Sequence, residues 1–367
     1  MSLKVCHIIS GDLWAGAEVM AFSLLSKLMK YSDIDLTVIV LNHGKLASQI
    51  KSLGIPCYVF DEKRLSFIKI LKQIREINKR HIFHIIHSHR YKENTIVALA
   101  ITGSHNCKLI TTVHGLPEYH DNEVDLYRRI KTGLNYFLLS RRFDRVIAVS
   151  LEMKDKLVRN YGFPEAKVAV IHNGIKIHER SNVIERNKFT IGSAGRIFPV
   201  KDFPLMVQIA KRLIKKYDNI YFELAGDGPG ITDLRKEIQK NDLQDRFSLK
   251  GNLENMESFY RGLNLYINTS RHEGIPLTVL EAMENSCPVI APRVGGLSEI
   301  IDDGENGFLL DSRDPACFAA KIEQIFLDHT LGRRIGVAAR EKVRNNFSVS
   351  RMAEQYYQLY WRVIKED

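Results

Sequence analysis

Cysteine is scarce in this chain, with five in 367 residues. Their number is odd, they are scattered, and no two share C-x-x-C spacing. This excludes a disulfide-stapled scaffold and a cysteine-based zinc knuckle, and it is typical of a reducing cytoplasm. The five are Cys6, Cys57, Cys107, Cys287 and Cys317.

Long apolar runs are also absent. No run reaches the roughly 20 residues that a membrane-spanning helix needs. Residues 4–10 have the pattern of a buried strand and not that of the apolar segment of a signal peptide. We therefore expect a cytoplasmic protein that neither spans the membrane nor carries a leader.

Several ligand-binding signatures are missing too. Gly11 and Gly16 have the wrong spacing for a G-x-G-x-x-G turn after the first predicted strand, which argues against an NAD enzyme. The glycine turn at residues 226–230 is not a Walker loop, because no Gly-Lys-Ser/Thr follows it. The D-x-D at residues 33–35 precedes a predicted strand, and we interpret it as a solvated loop instead of a metal site.

What the chain does have is an uneven charge. Residues 1–180 contain 27 Lys and Arg against 17 Asp and Glu, whereas the remainder has 26 of each sign. The net charge of +10 therefore lies in the first half and favours an anionic partner, such as a membrane surface or an acidic substrate. Nucleic acid is disfavoured, because no recognised binding motif is present.

Apolar, β-branched runs alternate with helical patterns along the whole chain, which predicts parallel, doubly wound α/β sheets. The strands predicted in the first half are residues 4–10, 36–41, 57–60, 82–87, 108–114 and 145–149. Those predicted in the second half are residues 190–194, 221–225, 246–250, 265–268, 288–291 and 307–310. Two Rossmann-like halves would place a ligand cleft between the carboxyl ends of their strands.

The polar stretch at residues 178–188 lacks periodicity and is interpreted as an interdomain linker and hinge. We predict two domains, a basic one at residues 1–180 and a second one at residues 188–348. The last segment, residues 349–367, is predicted to be a helix that crosses back to the first domain.

Two carboxylates, Glu273 and Glu281, flank a loop-to-helix transition marked by Gly274 and Pro276. The pattern predicts Glu273 on the loop and Glu281 about two turns into the helix, both near a helix N-terminus that suits a phosphate. A capped helix with solvated acids is the alternative for this spacing alone.

Two cations, Arg196 and Lys201, follow the strand at residues 190–194 and precede a helix that Asp202 could cap. Cations beside a helix start suit a diphosphate, although solvated loop charges would give the same pattern. Glycine turns at residues 226–230 and 295–296 follow two other predicted strands.

The order and spacing of these motifs resemble those of the family 4 glycosyltransferases over nearly the whole chain. The second-half motifs are Arg196 with Lys201, Gly226-Asp227-Gly228, Glu273-x7-Glu281, Pro288-Val289-Ile290, Gly295-Gly296 and Asn306-Gly307-Phe308. The first-half motifs are Gly16-Ala17-Glu18, His87-Ser88-His89, Thr111-Thr112-Val113-His114, Val146 to Ser150 and Ile171-His172-Asn173-Gly174.

The resemblance implies the GT-B fold and a retaining, metal-independent transferase that uses a nucleotide-sugar, most readily a UDP-sugar, without a cofactor. Its acceptor, a glycan or a lipid-linked glycan, would bind to residues 1–180, and the nucleotide-sugar would bind to residues 188–348, with its base at the Gly251–Leu253 turn. By position, Arg196 and Lys201 would hold the diphosphate, Glu273 would contact the donor sugar, and His114 would lie over sugar and acceptor. The donor-binding set that the resemblance implies is Gly16, Gly195, Leu253, Gly274, Leu277, Thr278 and Glu281.

Two departures from the family pattern concern the backbone. Ala15-Gly16 replaces a pair of glycines, which narrows the approach to the ligand, and Pro276 lacks an N–H that could bind phosphate. Neither removes a predicted catalytic side chain.

Four histidines lie close together in sequence: His81, His84, His87 and His89. A metal cluster, an active-site rim at a strand end and plain structural roles all remain open, although no cysteine or acid completes a metal geometry.

Residues 119–145 mix aromatic residues, leucines and arginines at helical spacing. An interfacial helix on anionic lipid would explain this composition, and it would make the protein peripheral on the inner face of the cell membrane. An amphipathic helix that faces the core, with solvated arginines, is the alternative. The apolar positions are Tyr127, Ile130, Leu134, Phe137 and Leu138.

Other functions fit the same fold. A sugar-nucleotide epimerase, a phosphorylase and a non-catalytic nucleotide-sugar binding protein are the alternatives to a transferase.

Overall fold

The computed structural model describes residues 2–12, 14–102, 107–115, 126–179 and 188–366, without the side chains of residues 126–129 and 131. The chain divides into two compact units, one of Met1–Lys176 with Val349–Asp367 and the other of Ile177–Ser348. Most of the predicted linker, residues 180–187, lies outside the described residues.

The first unit contains a seven-stranded sheet in the order β3-β2-β1-β4-β5-β6-β7, in which all paired strands are parallel. Its strands are β1 (Leu3–Ser10), β2 (Ile34–Leu41), β3 (Cys57–Phe60), β4 (Ile85–Ser88), β5 (Lys108–Val113), β6 (Arg145–Ala148) and β7 (Val168–Val170). Strand β1 is buried along almost its whole length, as expected for a central parallel strand covered on both faces.

Helices cover this sheet and supply the rest of its core. They are α1 (Gly16–Leu28), α2 (Lys45–Ser52), α3 (Phe67–His81), α4 (Tyr91–Ala100), α5 (Leu126–Arg142), α6 (Leu151–Tyr161) and the C-terminal α14 (Val349–Lys365). Buried Ile70, Ile74 and Ile77 show the helical spacing of α3 and pack in the core with Ile86.

The C-terminal helix α14 belongs to the first unit and packs against α1. Its buried face carries Met352, Tyr356, Tyr360 and Val363 at the three- to four-residue spacing of one helix face. The amide of Val349 donates to the carbonyl of Ile175 at 2.8 Å, which fixes the start of the helix.

The second unit contains a six-stranded parallel sheet in the order β10-β9-β8-β11-β12-β13. Its strands are β8 (Phe189–Ala194), β9 (Ile220–Ala225), β10 (Phe247–Gly251), β11 (Leu265–Ile267), β12 (Val289–Pro292) and β13 (Phe308–Leu310). Its helices are α7 (Phe203–Ile214), α8 (Ile231–Lys240), α9 (Met256–Arg261), α10 (Leu277–Glu284), α11 (Leu297–Ile300), α12 (Pro315–Leu327) and α13 (His329–Asn346).

The prediction of two doubly wound α/β units is confirmed. The short strand β7 and helix α2 were not predicted, and β2 begins at Ile34, earlier than expected. The D-x-D motif therefore runs into a strand, and Asp33 accepts a hydrogen bond from Tyr357 Oη at 2.7 Å, so it is not a fully solvated loop.

In each sheet the order in which strands are added reverses once along the chain. The reversal lies between β1 and β4 in the first unit and between β8 and β11 in the second. The carboxyl ends of parallel strands share one edge of a sheet, and a crevice forms where neighbouring crossovers diverge. Each unit therefore has one favoured place for a ligand.

Candidate functional site

The predicted residues of the second unit gather at the carboxyl edge of its sheet. Arg196 and Lys201 follow β8, the 226–230 turn follows β9, Glu273 follows β11, and the 295–296 turn follows β12. Residues distant in sequence thus meet because parallel strands end at one edge.

Lys201 and Glu273 form the central ion pair. Lys201 Nζ lies 2.6 Å from Glu273 Oε1, and the two side chains are 21% and 9% exposed. Ser270 Oγ donates to the same carboxylate oxygen at 2.5 Å and Asn268 Nδ2 at 3.3 Å. Three donors therefore converge on one oxygen at the edge of the sheet.

The surroundings of Glu273 keep it ionised. Burial raises the pKa of this carboxyl, but the charge of Lys201 and the hydrogen bonds from Lys201, Ser270 and Asn268 together outweigh burial and lower it. Glu273 is thus a hydrogen-bond acceptor in a fixed position and not a proton donor.

Arg313 joins the loops around this pair, a residue that sequence analysis missed. Its guanidinium donates to Asp202 Oδ2 at 2.6 Å and to the carbonyls of Ser270 and Thr269, each at 2.8 Å. Arg313 follows strand β13, and this position after a strand was the only indication in the sequence that it could reach the site. Its contacts with Asp202, Thr269 and Ser270 depend on which strands are neighbours in the sheet.

Asp202 does not cap helix α7, contrary to prediction. Its backbone is left-handed, with φ +47°, and its side chain makes no cap hydrogen bond. It pairs instead with Arg313 and with Arg271 Nη2 at 3.2 Å, because the left-handed turn directs its carboxylate away from the amides of α7. The aspartate thus ties the Lys201 loop to the Glu273 loop.

Helix α10 begins beside the ion pair. Its first intrahelical acceptor, Pro276 O, takes the amides of Val279 and Leu280, so Leu277 and Thr278 hold the first-turn N–H groups that a helix leaves without an intrahelical partner. These amides and the helix dipole favour an anion.

Glu281 lies on α10 about one turn from its start, not two, because the helix begins at Leu277. Tyr260 Oη donates to its Oε2 at 2.7 Å. Burial raises the pKa of Glu281 to about 7, although the Tyr260 hydroxyl acts in the opposite direction.

Arg196 is an exposed cation at this edge of the sheet. Its guanidinium lies 5.0 Å from the centre of the Phe198 ring, within cation–π range. Stacking on an aromatic ring limits the positions that the guanidinium samples and leaves its charge in solvent.

Glycines let the loops of this edge approach one another closely. A Cβ on Gly226, which has φ +127°, would lie 2.0 Å from the Gly195 carbonyl oxygen. A Cβ on Gly296 would lie 2.3 Å from the Gly274 carbonyl oxygen. The predicted glycine turns therefore serve first as packing contacts between loops.

The predicted base-binding turn follows β10. Gly251 has φ +66° and accepts the Gly226 amide at 2.7 Å, so this turn is connected to the Gly195 loop. Leu253 is half-buried. No contact of Leu253 identifies a base.

Gly16 starts helix α1 in the first unit and is exposed. Glu18, buried in the same first turn, accepts the Ala15 amide at 3.2 Å and pairs with Arg90 at 2.5 Å. The next buried carboxylate, Glu93, accepts the Ser10 amide at 2.6 Å. The loop that carries Gly16 is thus held from both sides.

His114 follows β5, half-buried, and its Nε2 lies 3.3 Å from His89 Nδ1. Burial and the charge of Arg90 lower the pKa of His114 to about 3, so the ring is neutral at pH 7. It is the predicted site residue that lies at the carboxyl edge of the first sheet.

The four histidines close in sequence do not form one cluster. His81 contacts Tyr58 Oη, and His84 accepts the Lys4 amide, whereas His87 and His89 stack with ring centres 4.4 Å apart. The structure adds His7, which lies beside His87 because β1 pairs with β4 in that register.

His7, His87 and His89 are the described residues that could hold a metal ion, with ligand atoms within 4.8 Å of one another. Each ring nitrogen of the three already has a side-chain partner. The cluster is therefore satisfied as a hydrogen-bonded network.

Two family models match the chain in succession. The one described as "Glycosyltransferase Family 4" matches residues 14–179, and the one described as "Glycosyl transferases group 1" matches residues 175–342. Together they cover both units.

Curated relatives are distant in sequence. A poly(ribitol-phosphate) alpha-N-acetylglucosaminyltransferase of Staphylococcus aureus is 28% identical over 54% of this chain, and the match spans only 40% of that enzyme. A UDP-Gal:alpha-D-GlcNAc-diphosphoundecaprenol alpha-1,3-galactosyltransferase of Escherichia coli is 21% identical over 98% of this chain and 96% of its own.

Solved structures share the fold. The Anabaena protein HepE in complex with UDP-glucose superposes with a TM-score of 0.85 at 20% identity, covering 97% of this chain and 99% of that one.

Proposed function

This chain belongs to the family 4 glycosyltransferases of GT-B fold, and we propose that it transfers a sugar, with retention, from a UDP-sugar to a glycan or lipid-linked acceptor. The Escherichia coli relative, a galactosyltransferase named for UDP-Gal and a diphosphoundecaprenol acceptor, supports a UDP-sugar donor and a lipid-linked acceptor. Surface polysaccharide or glycolipid synthesis is the process that these names favour.

One observation carries the proposal: Lys201, paired with buried Glu273, lies at the edge of the sheet where helix α10 begins. Departure of a nucleoside diphosphate builds negative charge on phosphate oxygens. Positioned cations and first-turn amides lower that barrier electrostatically. Lys201, Arg196 and the amides of Leu277 and Thr278 are the groups proposed to meet this charge.

The carboxylates have different proposed roles. Glu273, held ionised by Lys201, would accept hydrogen bonds from hydroxyls of the transferred sugar. Glu281 would accept from the ribose hydroxyls, which requires it to be ionised. We do not propose Glu273 as a covalent nucleophile, because the ion pair with Lys201 and the hydrogen bonds from Ser270 and Asn268 lower the pKa of the carboxylate and so make it a weaker base and nucleophile.

We propose that the reaction needs no metal ion or other cofactor, because cations of the chain supply the positive charge at the leaving group. In the first unit, neutral His114 is proposed to contact the reacting sugars.

We also propose that the first unit binds the inner face of the cell membrane peripherally, from the cytoplasm. Among the described residues, no helix is long and apolar enough to cross a bilayer. Helix α5 nevertheless exposes Ile130, Leu134 and Phe137 by 61%, 51% and 58%, while Tyr136 and Leu139 form its buried face. Three of the five predicted apolar positions therefore face solvent, whereas Leu138 packs against the core and the side chain of Tyr127 lies outside the described residues. With Arg141 and Arg142 nearby, the three exposed side chains suit anionic lipid.

Thermal-shift measurements with UDP-, GDP- and ADP-sugars test the donor, and incubation with lipid-linked glycans in the presence of EDTA tests transfer. We expect UDP-sugars to raise the melting temperature. We also expect a product whose anomeric configuration, read by NMR, matches that of the donor. Interconversion of free sugar nucleotides without an acceptor would indicate an epimerase, and binding without turnover would indicate a non-catalytic protein.

A further inference from the structure

A continuous series of buried side chains in the first unit connects the C-terminal helix to His114. Tyr360 Oη lies 3.2 Å from His7 Nε2, His7 Nδ1 lies 3.1 Å from His89 Nε2, and His89 Nδ1 lies 3.3 Å from His114 Nε2. Tyr360, His7 and His89 are at most 1% exposed. We call these four side chains the histidine relay.

A side branch leaves the relay at Tyr360. His87 Nδ1 lies 2.6 Å from Tyr360 Oη, and His87 Nε2 lies 2.8 Å from Thr112 Oγ1. Thr112 Oγ1 in turn lies 2.9 Å from Tyr356 Oη, one turn earlier on α14. Tyr360 is therefore the junction of two chains, and Tyr356 ends the one that leads away from His114.

The imidazoles of the relay are neutral. Burial lowers the pKa of His7 to about 3 and that of His89 well below its usual range. A neutral imidazole has one N–H donor and one acceptor nitrogen. Each ring that donates at one nitrogen must accept at the other, so fixing one end of the relay fixes the tautomer of every ring along it.

The two distances at Tyr360 Oη indicate which of its hydrogen bonds it donates and which it accepts. Its single hydroxyl proton can be given to His87 at 2.6 Å or to His7 at 3.2 Å. The shorter distance is typical of an O–H donor, and the longer one lies at the long end for an N–H donor. Tyr360 therefore donates to His87 and accepts from His7 Nε2–H.

The remaining tautomers follow in sequence. His7 Nδ1 is then an acceptor and takes a hydrogen bond from His89 Nε2–H. His89 Nδ1 is likewise an acceptor and takes one from His114 Nε2–H. The proton of His114 is thus on the nitrogen that faces the relay, and its Nδ1 carries a lone pair.

We propose that Tyr360 is a positioning residue that holds His114 in the Nε2–H tautomer through His7 and His89. His114 then offers an acceptor nitrogen, Nδ1, to a sugar hydroxyl. This second step rests on the proposed function, in which His114 contacts the reacting sugars, whereas the tautomer itself does not.

The test compares Tyr360→Phe with Tyr356→Phe. Both changes remove one buried hydroxyl from the same face of α14, but only the first interrupts the relay. Two-bond ¹H–¹⁵N spectra of ¹⁵N-histidine-labelled protein report which nitrogen of each ring is protonated, and His114→Gln assigns the His114 signals.

In the wild type and in Tyr356→Phe, we expect a His114 signal with Nε2 protonated. In Tyr360→Phe, we expect mixed or inverted tautomers at His7, His89 and His114, with a urea midpoint close to that of Tyr356→Phe. Protonated Nδ1 in the wild type, or an unchanged His114 tautomer in Tyr360→Phe, would overturn the proposal. Stoichiometric Zn²⁺ binding that shifts the His7, His87 and His89 signals together would overturn it as well.

Kinetics test the second step. We expect Tyr360→Phe to lower kcat by about 10- to 100-fold, less than the roughly 10²- to 10⁴-fold that a directly acting acid–base group contributes, because Tyr360 acts through other residues. The KM for the UDP-sugar should change by no more than about twofold, because the groups proposed to hold its diphosphate and ribose lie in the other unit. A changed tautomer with unchanged kcat would support the relay and overturn the proposed role of His114.

Discussion

Lys201 and Glu273 form the central ion pair of the proposed donor site. The pair is largely shielded from water, and Ser270 and Asn268 complete the hydrogen bonds of the carboxylate. Shielding from solvent makes such a pair more sensitive to the loss of one partner than to the loss of both, since an unpaired buried charge is costly.

A double-mutant cycle should show this asymmetry. We expect Glu273→Gln and Lys201→Met each to lower the free energy of unfolding, and the double variant to lose less than the sum. The coupling should be on the order of 1–3 kcal/mol, measured by urea unfolding at pH 7. The same cycle on the exposed pair Lys236 and Asp233, whose atoms lie 3.6 Å apart, should give less than about 1 kcal/mol. Equal coupling in the two cycles would contradict the assignment.

Glu281 should make stability and donor binding depend on pH near neutrality. Its pKa in the folded protein is about 7, above the ordinary 4.5, so the folded state binds more protons between these values. The contribution of Glu281 to the free energy of unfolding therefore falls as pH rises from 4.5 to 7. Relative to Glu281→Gln, the wild type should lose on the order of 2 kcal/mol between pH 5 and pH 8.

The proposed ribose contact needs the ionised carboxylate, so UDP affinity of the wild type should increase as pH rises through 7. Urea unfolding and calorimetric titration of both proteins at the two pH values measure the two effects. A pH-independent difference in stability between wild type and Glu281→Gln would show that Glu281 keeps an ordinary pKa.

The glycine turns of the second unit connect separate loops at the edge of its sheet. Gly226 after β9 contacts Gly195 after β8, and Gly296 after β12 contacts Gly274 after β11. Loop positions are thus set by backbone contacts that any side chain would disturb.

Gly226→Ala should therefore weaken donor binding as well as stability. The new Cβ would lie 2.0 Å from a backbone oxygen, and φ of +127° is unfavourable for alanine. We expect a loss of about 2–4 kcal/mol in stability. Gly304→Ala is the matched control, because its φ is also positive but no atom lies within 4 Å of the added Cβ. Thermal unfolding with and without UDP measures both effects, and equal losses in the two variants would rule out the steric explanation.

Much of this arrangement could be predicted from local sequence. The β-branched runs located most strands within a few residues, and the motif order identified Lys201, Glu273 and Glu281. The contacts of Arg313 and His7 could not be predicted, because they depend on which strands are neighbours. His7 meets His87 only because β1 pairs with β4, 80 residues apart. The short strand β7 has only three residues, too few for periodicity to indicate.

For the chain as a whole, the charge difference between its halves predicted a distinct partner for the first unit. The exposed apolar side chains of α5 also favour a partner for the first unit, because they lie in the unit that carries the net positive charge. The second unit has balanced charge and holds the proposed donor site.

Vesicle co-sedimentation tests the membrane proposal. We expect binding to phosphatidylglycerol vesicles that weakens with salt, and little binding to phosphatidylcholine. Leu134→Glu should reduce binding by at least about tenfold, because it places a negative charge on the docking face. Leu327→Glu should not, although Leu327 in the second unit is 71% exposed. Equal binding by both variants, or none by the wild type, would exclude α5 as the membrane contact.

The central claim is that Lys201 and the start of α10 hold the diphosphate of the donor without a metal ion. Calorimetric titration of UDP in excess EDTA tests it, with wild type, Lys201→Ala and Lys215→Ala compared at pH 7.5. Lys215 is an exposed residue at the far end of α7, the helix that begins two residues after Lys201, so its loss should leave the affinity for UDP unchanged. We predict that the wild type binds UDP in EDTA and that Lys201→Ala binds about 10- to 100-fold more weakly. Binding that disappears in EDTA, or equal affinity in Lys201→Ala and Lys215→Ala, would contradict the account.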